Sequence, residues 1–120
     1  FVKNVIKRKP IKIVGGNQMM SYIDPRDVAT SIVKLLQVPQ WQPIYNIGTG
    51  WMCTKRLIEL ANMVVKIGSQ LGYNEVPIVI EEKEIYQRAG LDISKITTDT
   101  GWIPQISLEM MIKDLYIMLQ

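Results

Sequence analysis

The sequence predicts a mixed α/β fold, and three observations carry that expectation. Short apolar runs alternate with stretches whose apolar residues recur at helical spacing. Gly and Pro punctuate the joins. The strands are too few for a complete doubly wound sheet. Hydrophobic residues make up 48% of the 120 positions and charged residues 21%, a balance that supports a folded core rather than a disordered tail. This length suits a single domain over residues 1–120.

In chain order, Val2, Val5 and Ile6 share one helical face, and Pro10 stops that helix. Ile11, Ile13 and Val14 make a short strand closed by a Gly15-Gly16 turn. Tyr22-Ile23 is a brief extended piece. Asp24-Pro25 has the form of a helix start, with an N-cap carboxylate followed by Pro in the first turn. That helix runs to about Gln37, with Val28, Ala29, Ile32, Val33 and Leu36 at core spacing. Ile44 to Ile47 reads as a strand entering a Gly48-Thr49-Gly50 turn, and a second helix starts near Cys53 or Thr54. Its stripe is Leu57, Leu60, Ala61, Val64 and Val65, and Gly68 marks its end or a break. Val76 to Ile80 is another strand, with Glu81 to Glu84 as a charged exit. Asp92 caps a short helix ending at Gly101. Ser107 caps the last helix, whose apolar face is Leu108, Met111, Ile112, Leu115 and Leu119.

Composition removes several chemistries. With one cysteine, Cys53, and no histidine, the chain forms no internal disulfide, carries no Cys–His or Ser–His nucleophile pair, and is not expected to hold a metal. No apolar run reaches the roughly 20 residues that span a bilayer, and no secretory signal is visible. The expectation is a cytoplasmic protein without a membrane partner. Lys3, Lys7, Arg8, Lys9 and Lys12 form a basic cluster. It reads as a solvated face, and nucleic acid is not an expected partner because no binding signature accompanies it.

Four segments in order carry a family resemblance. They are Pro10-Ile11-Lys12-Ile13-Val14-Gly15; Tyr22-Ile23-Asp24-Pro25-Arg26-Asp27-Val28-Ala29; Ile44-Tyr45-Asn46-Ile47-Gly48-Thr49-Gly50; and Leu91-Asp92-Ile93-Ser94-Lys95-Ile96 with Gly101-Trp102-Ile103-Pro104 and Ser107-Leu108-Glu109. Together they resemble the C-terminal part of the extended short-chain dehydrogenase/reductases, in the NAD-dependent epimerase/dehydratase branch. The fold implied is a partial Rossmann-like mixed sheet with helices, the C-terminal substrate-binding lobe of such an enzyme. The chain begins at Phe1, so its start is read as a cut and the N-terminal NAD-binding domain as absent. Each segment also has a plain structural reading: Trp102 as a core anchor, Asn46 as a tie between loops, and Asp92 as a cap.

The family's catalytic Tyr-x-x-x-Lys pair is missing. Four residues after Tyr22, Tyr45, Tyr73, Tyr86 and Tyr116 stand Arg26, Thr49, Pro77, Gly90 and Gln120. The Gly48-Thr49-Gly50 turn has Cys53 where a third glycine belongs, and no ribose-binding acid follows about 20 residues on. It reads as a turn. No catalytic and no cofactor-binding residue is therefore assigned, and NAD or NADP belongs to the full-length parent. The resemblance implies a nucleotide sugar as the partner molecule. Arg88 is the candidate for its diphosphate, through the planar fork of a guanidinium; a surface pair with Glu82 or Glu84 is the alternative. Val14 is the candidate for backbone contact with the base, and Asn17 and Gln18 for contact with sugar or phosphate, or else as a polar turn. Met20 replaces a second arginine common in the family. An uncovered apolar face between Asp24 and Gly50 implies self-association as a homodimer. The competing reading is a stand-alone, non-catalytic binding or oligomerisation module derived from the same family.

Overall fold

Helix starts and stops fall where local chemistry demands them. The computed structural model describes all of residues 1–120. Its elements are α1 (Val2–Ile6), β1 (Ile11–Val14), β2 (Met19–Ser21), α2 (Pro25–Leu36), β3 (Thr54–Arg56), α3 (Leu57–Gln70), β4 (Ile78–Glu81), α4 (Ser94–Thr100) and α5 (Leu108–Met118). The fold is mixed α/β with a small parallel sheet, as expected from the alternation. Asp24 caps α2 by accepting from the Arg26 amide at 2.8 Å, with Pro25 in the first turn. Asp92 accepts from the Ser94 amide at 2.9 Å. Gly101 ends α4 in the left-handed conformation, φ +72°, which a side chain would penalise.

The chain divides into two compact units. The first comprises Phe1–Met20, Lys55–Arg88 and Glu109–Gln120; the second comprises Ser21–Thr54 and Ala89–Leu108.

In the first unit, β1 and β4 pair in parallel, from Ile11 opposite Ile78 to Val14 opposite Glu81. Ile11 and Ile13 point inward while Lys12 and Val14 face solvent, and α3 packs against β1. The apolar core is Val2, Val5, Ala61, Val64, Ile67, Ile112 and Tyr116, all under 10% exposed. Tyr116 is fully buried, stacks on Tyr73 at 5.1 Å, and donates to the Val64 carbonyl at 2.8 Å. Burial pushes its phenol up to about 12, with the neighbouring Tyr73 adding to the shift. Gly68 does not end α3, contrary to expectation. It lies inside the helix, and a side chain there would collide with Tyr116 Oη and Val5.

In the second unit polar groups do much of the holding. Both Asp27 carboxylate oxygens accept backbone amides, from Gln105 and Ile106, each at 3.0 Å. Trp102 is buried and donates to Thr30 Oγ1 at 3.0 Å, so it is the expected anchor. Asn46 ties its loop to the Asp92 carbonyl at 3.1 Å. Asp99 accepts from both Tyr45 and Gln42 at 2.7 Å, and these bonds hold its carboxyl below the usual range.

Four expectations are corrected. Helix α2 buries Asp27 and Ser31, while Ile32, Val33 and Leu36 are 49%, 55% and 68% exposed; the periodicity was apolar on the face this chain leaves open. Ile44–Ile47 is not a strand, because no neighbouring strand takes up its amides and carbonyls. The extended piece expected at Tyr22-Ile23 lies slightly earlier, as β2. Likewise α3 begins at Leu57 rather than near Thr54, since residues 54–56 are taken into β3.

Candidate functional site

Parallel pairing places the loops that follow β1 and β4 at the same end of the two strands. In open α/β sheets that carboxyl end is where ligands commonly bind. The loop after β1 starts with Gly15 and Gly16, at φ +79° and +122°, conformations that a side chain rarely adopts. Gly15 also lies against the chain after β4: an added methyl would stand 2.8 Å from Gln18 Oε1 and 3.1 Å from the Lys83 carbonyl. The Gly15 amide continues the β-ladder to the Glu81 carbonyl at 2.9 Å.

Gln18 locks this turn. Its side chain is buried, accepts from the Gly16 amide at 2.6 Å and donates to the Val14 carbonyl at 2.8 Å. The loop carbonyls in turn cap α3. Gly16 O accepts from the Ile58 amide at 3.0 Å and Gln18 O from the Leu57 amide at 3.1 Å, while the Arg56 amide donates to Glu59 at 2.9 Å. The first amides of α3 are thereby occupied, so this helix start does not present them to an anion.

The result is an open hollow of about 550 Å³. Gly15, Gly16 and Asn17 form one side, Glu82, Lys83 and Glu84 another, and Ile58 and Ile80 supply apolar surface. Two carboxylates and one ammonium give the rim a net charge of −1, counting Glu82, Glu84 and Lys83. Such a rim suits a ligand part that carries N–H or O–H donors better than a bare diphosphate. A smaller hollow of about 340 Å³ runs between α3 and α5, lined by Asn62, Met63 and Lys66 among others.

The four candidate residues separate. Asn17 is exposed and lines the larger hollow. Gln18 shapes the loop instead of facing it, and it occupies the Val14 carbonyl that was a candidate for base contact. Val14 itself is 40% exposed at the end of β1. Arg88 is exposed in the segment after the hollow's Glu82–Glu84 wall, and is not among the hollow's lining residues. The ion pairs Arg26–Asp24 and Lys113–Glu109 do not involve it. Sequence reading missed the Glu82–Glu84 wall, taking it for a charged exit. Only the long-range parallel pairing of β4 with β1 reveals it.

The Gly48-Thr49-Gly50 turn does not fit a dinucleotide pyrophosphate. Thr49 is buried and donates to the Tyr22 carbonyl at 3.0 Å. The turn leads into β3 rather than into a helix start, so the aligned amides that hold a pyrophosphate are not presented there.

No family model matches the chain, and no curated protein matches it in sequence. Solved structures do match its fold. RMD from Pseudomonas aeruginosa, complexed with NADPH, superposes with a TM-score of 0.79 at 18% identity, covering 97% of this chain and 38% of that one. The dTDP-glucose 4,6-dehydratase of Bacillus anthracis, in complex with NAD, gives 0.79 at 19% identity, over 97% of this chain and 36% of its own. The UDP-glucose 4-epimerase of Thermotoga maritima, with UDP-glucose, gives 0.78 at 23% identity, over 98% and 38%. At these identities the likeness is one of fold: the mixed α/β arrangement of this chain is shared with part of each of these structures. The chain spans little more than a third of the length of these structures.

Proposed function

We propose that residues 1–120 act together as the substrate-binding lobe of an NAD(P)-dependent nucleotide-sugar epimerase or dehydratase, without turnover of their own. The observation that carries this reading is the hollow at the carboxyl ends of β1 and β4, with Asn17 on one wall and Glu82–Glu84 on the other. Its apolar surface and carboxylate rim suit a nucleoside or sugar moiety rich in N–H and O–H donors. Arg88, exposed on the same segment, supplies the guanidinium for the diphosphate. NAD or NADP belongs to a separate nucleotide-binding domain. The open stripe Ile32, Val33 and Leu36 on α2 is the seat for that domain. No helix is long and apolar enough to cross a membrane.

Titration calorimetry with a panel of uridine, thymidine, guanosine and adenosine diphosphate sugars tests the proposal. One class should bind, and Arg88→Ala should weaken it about tenfold, the size of one charge-assisted hydrogen-bonding contact. Absence of binding by every class, both alone and with a co-expressed nucleotide-binding domain, would refute it. An Asn17→Ala variant with unchanged affinity would move the site away from this hollow.

A further inference from the structure

We propose that the outer edge of β4 pairs antiparallel with the same edge of a second copy, joining two β1–β4 pairs into one four-stranded sheet about a two-fold axis. Strand β4 has β1 on one side and no strand on the other. Ile11 N donates to Pro77 O at 3.0 Å and Gly15 N to Glu81 O at 2.9 Å, so residues 77, 79 and 81 direct their backbone groups toward β1. Strand alternation then sends the amides and carbonyls of Ile78 and Ile80 outward.

Natural edge strands are usually blunted by proline, an inward charge or a bulge. Here Pro77 sits at a position that faces β1, so its missing amide takes nothing from the outer edge. The outward positions are isoleucines, and Val79 and Ile80 are each 48% exposed. This edge is open to strand addition.

Charge selects both the occupant and the register. Pairing centred on Val79 sets Ile78 opposite the partner's Ile80. It also sets Glu75 opposite the partner's Lys83, twice by symmetry. Centring on Ile78 instead opposes Glu75 with the partner's Glu81, and centring on Glu81 opposes that residue with itself. Centring on Ile80 lays Glu82 against the partner's Ile78. Of these registers, the Val79 one sets Ile78 against Ile80 and, just beyond the strand ends, Glu75 against Lys83 with no like charges opposed, while Glu81 and Glu82 fall opposite Pro77 and Val76. The strand is complementary to itself, so a second copy is the occupant.

The register makes a sharp demand. Val79 faces β1 with its backbone, so the two copies of Val79 form a non-hydrogen-bonded pair with Cα atoms about 4.5 Å apart. That lies inside the range of about 4.4 to 6.8 Å that a disulfide spans. Under air oxidation, Val79→Cys should convert most of the chain into a disulfide-linked dimer on a non-reducing gel. Glu81→Cys, two residues along on the same face, should stay largely unlinked, and the native Cys53 is buried. By light scattering at micromolar concentration the unmodified chain should be a dimer. Lys83→Glu should shift it toward monomer, and adding Glu75→Lys should restore it; this swap does not depend on a backbone-disrupting variant. A monomeric unmodified chain, equal linking at positions 79 and 81, or a dimer lost on Ile32→Glu but kept in Lys83→Glu would each overturn the proposal. None of these readouts involves a nucleotide sugar, so their failure is separable from failure of the binding reading.

Discussion

The two units solve the problem of cohesion by different means. The first closes around aliphatic side chains and Tyr116, with most polar groups left outside. The second turns carboxylates and hydroxyls inward, at Asp24, Asp27, Ser31, Thr49 and Thr54, and leaves the aliphatic stripe of α2 outside. A helix that buries Asp and exposes Ile, Val and Leu is consistent on the inside only because each buried polar atom has a partner: Asp27 takes two amides, and Ser31 donates to Val28 O at 2.6 Å. The contrast separates a unit that closes on an apolar core from one that leaves an apolar helix face exposed.

The largest test of that contrast is Tyr116→Ala. It should lower the stability of the first unit by about 3–5 kcal/mol in urea unfolding, as loss of a buried aromatic does. A loss below 1 kcal/mol would mean that the core is looser than its burial implies. Next, Asp27→Ala leaves the amides of Gln105 and Ile106 without their acceptor and should cost roughly 3 kcal/mol, and Asp27→Asn should recover part of it. An unaffected Asp27→Ala variant would show that the polar latch does not hold the second unit.

Alkaline pH probes the Tyr116 core without mutation, although Tyr22 and Tyr45 of the second unit are raised as well. The Tyr116 phenol is raised from 10.0 to about 12 in the fold, so between these values the unfolded chain loses a proton that the native chain keeps. The stability it contributes is complete below pH 10 and declines as pH rises toward 12, by on the order of 2 to 3 kcal/mol. Unfolding curves at pH 9 and 11.5 would show this, and Tyr116→Phe should reduce the difference, leaving the share of Tyr22 and Tyr45. The smallest effect is expected at the open stripe. Ile32→Lys and Leu36→Lys should change stability by no more than about 0.5 kcal/mol, as exposed substitutions do. A large loss would show that the stripe is already covered in this chain.

Much of the local structure was legible in advance because it is set by neighbours in sequence. Asp24-Pro25 starts a helix, Gly101 ends one, and Gly15-Gly16 turns the chain, each for reasons contained within a few residues. What was not legible depends on distant partners. Periodicity in α2 shows that one face is apolar but does not say which face this chain buries. Ile44–Ile47 has strand composition, yet a strand exists only beside another. Gly68 looked like a helix end because its close neighbours, Tyr116 and Val5, are far away in sequence. At the candidate site, Asn17 was visible in the sequence. Gln18 was visible too, but its side chain is spent on the loop, and the opposing Glu82–Glu84 wall needed the β1–β4 register.

The Asp27 carboxylate finds its two amides 78 and 79 residues further on. Neither unit is a continuous stretch: the second needs residues up to Leu108, and the first needs the final helix to Gln120. Contacts this remote in sequence slow folding, since a long loop must close before they form. During synthesis both units therefore stay unfinished until residues up to Leu108 and Gln120 have emerged, with the Asp27 carboxylate and the aliphatic residues of α1 and β1 exposed in the meantime. Chaperone demand during synthesis, rather than the stability of the finished fold, is where this interleaving weighs most.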